Sequence, residues 1–266
     1  MKLSPVTDKR SIRLDDEHAR VQGRKKAGKA IEDATEEQVD RISELQRVLY
    51  ADARYAVLIV LQGRDASGKD GTIRKVFTAV NPQGCSVTSF KAPTDLEQHH
   101  DFLWRVHQQV PARGMIGIFN RSHYEDVLVP RVRGTLAKRE WMARYEQIND
   151  FERMLAANGV VIMKFMLHIS RGEQKQRFTD RLTDKSKNWK FRMGDLDDRA
   201  RWDEFTKAYR GALSHTSTEA APWYVVPADD TDVRDYLVAR TIADRLKKLR
   251  LRYPPADPAI LGVTID

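Results

Sequence analysis

Five short runs rich in apolar, β-branched or aromatic residues read as strands: Val57–Leu61, Ser86–Phe90, Met115–Phe119, Val160–Leu167 and Trp223–Val226. Segments of helical spacing separate them, from Lys69 to about Val80, Leu96 to His107, Lys138 to Ala157 and about Asp197 to Leu213. A last helix runs from about Val233 to Leu251. Strands buried on both sides and separated by helices predict an α/β fold, a five-stranded parallel sheet in three layers. Ligands of such sheets sit beyond the carboxyl ends of the strands. Upstream, Thr35-Glu36-Glu37-Gln38 has the form of a capping box. It precedes Val39, Ile42, Leu45, Val48 and Leu49 at helical spacing. Residues 1–34 are polar, highly charged and weakly periodic, and are expected to form an extended arm or loose helix against the body. With no internal repeat or low-complexity linker, residues 35–266 read as one domain.

Charge narrows the partners without choosing among them. Lys and Arg number 46 against 38 Asp and Glu, a formal charge of +8 that attracts polyanions. Nucleic acid, nucleotides and inorganic polyphosphate share that sign. The single cysteine, Cys85, has no partner for an internal disulfide and is expected to be a buried structural thiol. The first twenty residues have no apolar core of the secretory kind. No apolar run nears the ~20 residues that span a bilayer, so a soluble, cytoplasmic protein is expected, with no membrane partner.

The chemistry gathers behind the first strand. Gly63-x-x-x-x-Gly68-Lys69 has P-loop spacing, following a strand and opening a helix. Backbone N–H groups over Gly63, Ala66, Ser67, Gly68, Asp70 and Gly71 are placed to surround phosphate, with Lys69 as a point charge. Asp70 stands where P-loops usually carry a Mg²⁺-binding Ser or Thr. Asp65, a carboxylate among phosphate-binding amides, would repel phosphate unless a cation lay between, which makes it a candidate metal ligand.

A second anchor follows the third strand, in Asn120-Arg121-Ser122-His123-Tyr124-Glu125-Asp126. Arg121 is placed to grip phosphate as a planar fork, and Glu125 and Asp126 lie one short turn later. The stretch 171–196 carries Arg171, Lys175, Arg177, Arg181, Lys185, Lys187, Lys190 and Arg192, a candidate helical lid. Arg177 and Arg181, four apart, share a face. Lys75 extends the basic path, and Lys91, Arg131 and Arg133 are candidates for the acceptor's phosphates. By contrast, His99-His100 point to different helix faces and carry no metal reading, and the five tryptophans read mostly as packing residues.

Together, GRDASGKDG, SFKAPT, FLWRVHQQVPARG, IFNRSHYEDVLVPRV and EQKQRFTDRL with K-x-WKF resemble the polyphosphate kinase 2 family over about residues 40–240. The resemblance implies a thymidylate-kinase-like P-loop fold with a lid. It also implies Mg²⁺-dependent transfer of a phosphoryl group between inorganic polyphosphate and a nucleotide, with Mn²⁺ as a substitute. RSHYED, in place of the RSWYNR of diphosphate-specific members, resembles the third class, which phosphorylates AMP and ADP. By motif match Asp65 and Lys69 take the metal and phosphate roles, and Arg121 that of the arginine after the third strand. Asn120 stands in place of the family's Walker-B aspartate. That promotes Asp126 as second metal ligand, with Glu125 as the alternative. The implied catalytic set is Asp65, Lys69, Arg121, Asp126 and Arg181. The implied partners are polyphosphate and adenine or guanine nucleotides, with a homodimer or homotetramer and no nucleic acid. Two rivals remain at this point: a P-loop nucleotide kinase with ATP as donor, and a basic nucleic-acid-binding NTPase.

Overall fold

Alternating side chains of the first strand divide the protein into two cores. The computed structural model describes residues 1–21 and 28–265. In β1 (Ala56–Gly63), Ala56, Leu58 and Val60 enter one core while Val57, Ile59 and Leu61 enter the other. This is the period-two consequence of a strand covered on both sides. The chain runs α1 (Lys29–Asp52), β1, α2 (Lys69–Val76), β2 (Cys85–Ser89), α3 (Asp95–Gln98), α4 (Trp104–His107) and β3 (Ile116–Asn120). It continues with α5 (Glu125–Arg133), α6 (Lys138–Ala157), β4 (Val160–His168), α7 (Arg171–Thr183), α8 (Met193–Ala200), α9 (Trp202–Thr216), β5 (Trp223–Pro227) and α10 (Thr231–Lys248). All strand pairs are parallel, in the order β2-β3-β1-β4-β5. Residues of α5, α6 and α9 fill one core, and those of α1, α2 and α10 the other. The predicted three-layer parallel architecture is therefore present.

Local predictions fail in three places. The helix predicted to open at Thr35 begins at Lys29 instead. Thr35 lies buried in its second turn and donates its hydroxyl to the Ile31 carbonyl at 2.6 Å. A hydroxyl satisfied by back-bonding has no capping role. The helix predicted over Leu96–His107 is two short ones: Thr94 and Glu97 form a true capping box for α3, and Asp101 accepts from the Leu103 N–H before α4. The helix predicted from Asp197 to Leu213 breaks at Arg201, between α8 and α9. Toward the N-terminus, Val6, Ile12, Leu14 and Ala19 are buried, and the Val6 N–H donates to the Trp223 carbonyl at 2.8 Å beside the edge strand. Residues 22–27 of the predicted arm lie outside the described residues. Cys85 is half-buried, and burial pushes its thiol up to about 11. Among the described residues, no helix is long and apolar enough to cross a membrane.

Candidate active site

The loop between β1 and α2 is held in a shape that its sequence permits only through small residues. Gly68 has φ +98°, and a Cβ there would lie 1.9 Å from an Nη of Arg234. Only glycine fits both demands. Arg234, buried on α10, thus lies directly against the loop and pairs with Asp235, which accepts from Thr72 of α2 at 2.9 Å. Arg177 braces the same loop from α7, donating to the carbonyls of Ala66, Ala228 and Asp229. The Lys69 ammonium folds back onto the carbonyls of Gly63 (2.7 Å) and Arg64 (3.2 Å). Burial lowers its pKa to about 8, and Arg121 adds repulsion. The Ser67 hydroxyl is buried without a hydrogen-bond partner.

Next to the loop, Arg121 emerges from the end of β3 with φ +63°. Its guanidinium donates to Asp65 at 2.6 Å and reaches Glu125 at 3.5 Å. Glu125 raises the arginine's pKa and burial opposes it, with Asp65 adding to the rise. Burial pushes the Glu125 carboxyl up, although Arg121 and Lys69 both favour its charge. Gly63, Arg64, Asp65, Arg121, Glu125 and Asp198 line one cavity, on a floor of Val129, Phe205 and Tyr209. The cavity is partly open to solvent, with about 30 Å³ accessible to water-sized spheres. Helix α8 contributes Asp198 to the lining; burial pushes Asp195 and Asp198 up, and proximity to Asp65 adds to both shifts.

The other predicted residues divide. Asn120 donates to Asp70 at 2.6 Å, which ties the strand tip to the loop's acidic residue. Asp126 does not join Asp65: it pairs with the buried Arg105 at 3.1 Å and lies outside the cavity lining. Of the two adjacent carboxylates expected as a second metal ligand, Glu125 lines the cavity with Asp65, whereas Asp126 is engaged by Arg105. Arg181 of α7 reaches Asp195 at 3.5 Å, and Arg133 of α5 pairs with Asp198, both on α8. Lys187 pairs with Asp184, and Lys190 lies over Trp189. Lys75 faces Glu36 of α1 at 3.6 Å. Arg131 stacks on Trp141 and donates to the Tyr145 hydroxyl, a packing arrangement. Lys91 is exposed, Gly71 sits in α2 against Arg234, and neither lines the cavity. Trp189, read as a packing residue, is 75% exposed on the lid.

Comparison with known proteins fits this geometry. The model of the family described as Polyphosphate kinase 2 matches residues 25–253, most of the chain. The chain belongs to the polyphosphate kinase 2 family. It is 52% identical over 226 residues to an AMP/ADP-polyphosphate phosphotransferase of Meiothermus ruber, covering 85% of each chain. It is 47% identical over 234 residues to an ADP-polyphosphate phosphotransferase of Rhodopseudomonas palustris, covering 84% of this chain and 81% of the other. The crystal structure of Polyphosphate Kinase 2 from Arthrobacter aurescens TC1 superposes with a TM-score of 0.82 at 41% identity, over 96% of this chain and 95% of the other.

Within this polyphosphate kinase 2 member, several site residues escaped sequence reasoning. Arg64 stacks on Trp202 at 3.8 Å and donates to the Trp202 carbonyl, and burial lowers its pKa to about 10. It sits inside the glycine-framed loop, so its position was the available signal. Gln174 donates to the Asp65 carbonyl at 3.0 Å. Tyr209, Asp198 and Arg234 arrive from helices far along the chain, and no local motif marks them.

Proposed function

We propose that this chain transfers the terminal phosphoryl group of inorganic polyphosphate to AMP and ADP with Mg²⁺. The observation that carries the reading is the match over 85% of both chains to a relative named for that donor and both acceptors. The geometry supports phosphoryl transfer independently, because the loop, Lys69, Arg121 and the lid converge at the carboxyl ends of β1 and β3.

The donor set suits a hard cation. Asp65 and Glu125 present carboxylate oxygens to one cavity. Among the described residues, no group of three or more metal-ligating side chains is assembled. Asp65 and Glu125 would then supply two carboxylates, as Mg²⁺ sites often use, with substrate phosphates completing the shell. When bound there, the ion screens charge between donor and acceptor phosphates.

The remaining work belongs to the chain. The loop's N–H groups and Lys69 hold a phosphate group, and the partnerless Ser67 hydroxyl is free to donate to it. Arg121, released from Asp65, neutralises charge on the transferring group. An acceptor phosphate oxygen attacks the terminal phosphorus in line as the bond to the next bridging oxygen breaks. The attacking oxygen is already anionic near neutral pH, so no general base is required. Helix α8, which contributes Asp198 to the cavity lining, would withdraw to admit substrates, and its return would exclude water. The acceptor range is tested by supplying long-chain polyphosphate with AMP or ADP separately and resolving the nucleotides by anion exchange. ADP followed by ATP from AMP is expected. ATP from ADP alone would remove AMP as an acceptor.

A further inference from the structure

A fully buried ionic network lies beneath the Arg121–Glu125 turn and touches nothing in the cavity. Lys164, in the middle of β4, is completely buried, as is Glu152 of α6. The Lys164 ammonium donates to Glu152 at 2.5 Å, to the Thr216 carbonyl at 2.7 Å and to the Tyr124 hydroxyl at 2.8 Å. All three of its protons are used. The Tyr124 hydroxyl in turn donates to Glu152 at 3.0 Å, and His123 Nε2 lies 3.2 Å from the same carboxylate oxygen. The Tyr124 ring sits edge-on to Trp223 at 4.8 Å, and Trp223 donates its indole N–H to Thr216.

Such a network is costly to bury, and an apolar core of equal volume is often as stable. Its position suggests what it provides. His123 and Tyr124 lie between Arg121 and Glu125, the two residues that face the cavity. Their side chains engage Glu152 and Lys164, while the flanking Arg121 and Glu125 line the cavity. The turn has a second fastening, as the Tyr124 N–H donates to Ser122 Oγ and the Arg121 N–H to the Leu61 carbonyl. Arg121 holds a left-handed backbone, a conformation that persists only where its surroundings enforce it.

We infer that Tyr124, Glu152 and Lys164 are positioning residues, whose hydrogen-bonded network fixes the turn that aims Arg121 and Glu125 at the transferring phosphate. The inference deepens the proposed reaction and rests on that reading for its kinetic test, while its structural test does not.

Tyr124→Phe removes one hydroxyl and leaves the packed ring in place. The expected result is a fall in kcat of at least fivefold, with the KM values for AMP and polyphosphate changed less than twofold. Amide hydrogen exchange, followed by mass spectrometry, should quicken over residues 120–126 while β1 and α10 keep their wild-type rates. The double variant Glu152→Gln with Lys164→Met, which removes both charges together, should show the same pattern. If Tyr124→Phe fails to fold, the double variant decides. A fall in kcat below fivefold, a rise in KM in its place, or unchanged exchange at 120–126 overturns the inference. If the wild type transfers nothing from polyphosphate, the proposed reaction fails, and the exchange measurement still decides the role of the network.

Discussion

Arg121 donates a hydrogen bond of 2.6 Å to Asp65, so a cation and a carboxylate that line the same cavity satisfy each other. Both are thereby held close together just beyond the carboxyl ends of β1 and β3, where the proposed reaction places the donor and acceptor phosphates.

Asp65→Asn keeps the shape of that contact and removes its charge. Transfer should fall by about 100-fold in kcat, the scale of losing one preorganised electrostatic group. The KM for polyphosphate should not rise, because Arg121 is freed to bind it. Initial rates over a polyphosphate series give both numbers.

Glu125 and Asp126 are adjacent, and the structure assigns them different partners. Glu125→Gln should raise the Mg²⁺ concentration needed for half-maximal rate by about tenfold, roughly 1.4 kcal/mol of metal affinity. Asp126→Asn should leave that midpoint unchanged and lower thermal stability, since it leaves the buried Arg105 with Glu97, at 3.6 Å, as its remaining carboxylate. Metal titrations beside thermal melts separate the two.

Lys69 ties activity and stability to pH with opposite signs. Its pKa falls from 10.5 to about 8 through burial, so the free enzyme loses this charge above about pH 8. The value of kcat/KM should fall there as the loop's cation is titrated. Between about pH 8 and 10.5 the unfolded chain keeps a proton that the folded protein has released. The cost of burying the charge is full below pH 8 and fades across that window. Lys69 therefore contributes a stability gain as pH rises, and Lys69→Met should abolish that contribution in urea melts compared across the window.

Gly68→Ala forces a Cβ against the Arg234 guanidinium and strains a left-handed backbone. Backbone strain alone costs about 1–2 kcal/mol, and displacement of Arg234 adds to it. A lower melting temperature and loss of transfer are expected together. Trimming the clash with Arg234→Ala should leave the backbone strain in place and fail to restore activity.

The sheet was legible because β1 and β4 are apolar on both sides, and that pattern has few other solutions. The loop was legible because phosphate binding uses contiguous backbone. What escaped depends on direction. Glu125 and Asp126 stand about 100° apart around a helix, so only one faces the cavity, and no local pattern says which. Arg177 and Arg131 read as substrate cations, yet one braces the loop's carbonyls and the other stacks on Trp141. Only tertiary partners distinguish those uses. Lys164 sits unnoticed within an apolar run because its counter-charge lies twelve residues away on α6.

Donor identity is the most direct test of the central claim. The purified protein is incubated with AMP and Mg²⁺, once with long-chain polyphosphate and no nucleoside triphosphate, and once with ATP and no polyphosphate. Lys69→Ala serves as the control. Formation of ADP from polyphosphate, lost in Lys69→Ala, is the predicted result. Transfer from ATP with none from polyphosphate would contradict the account.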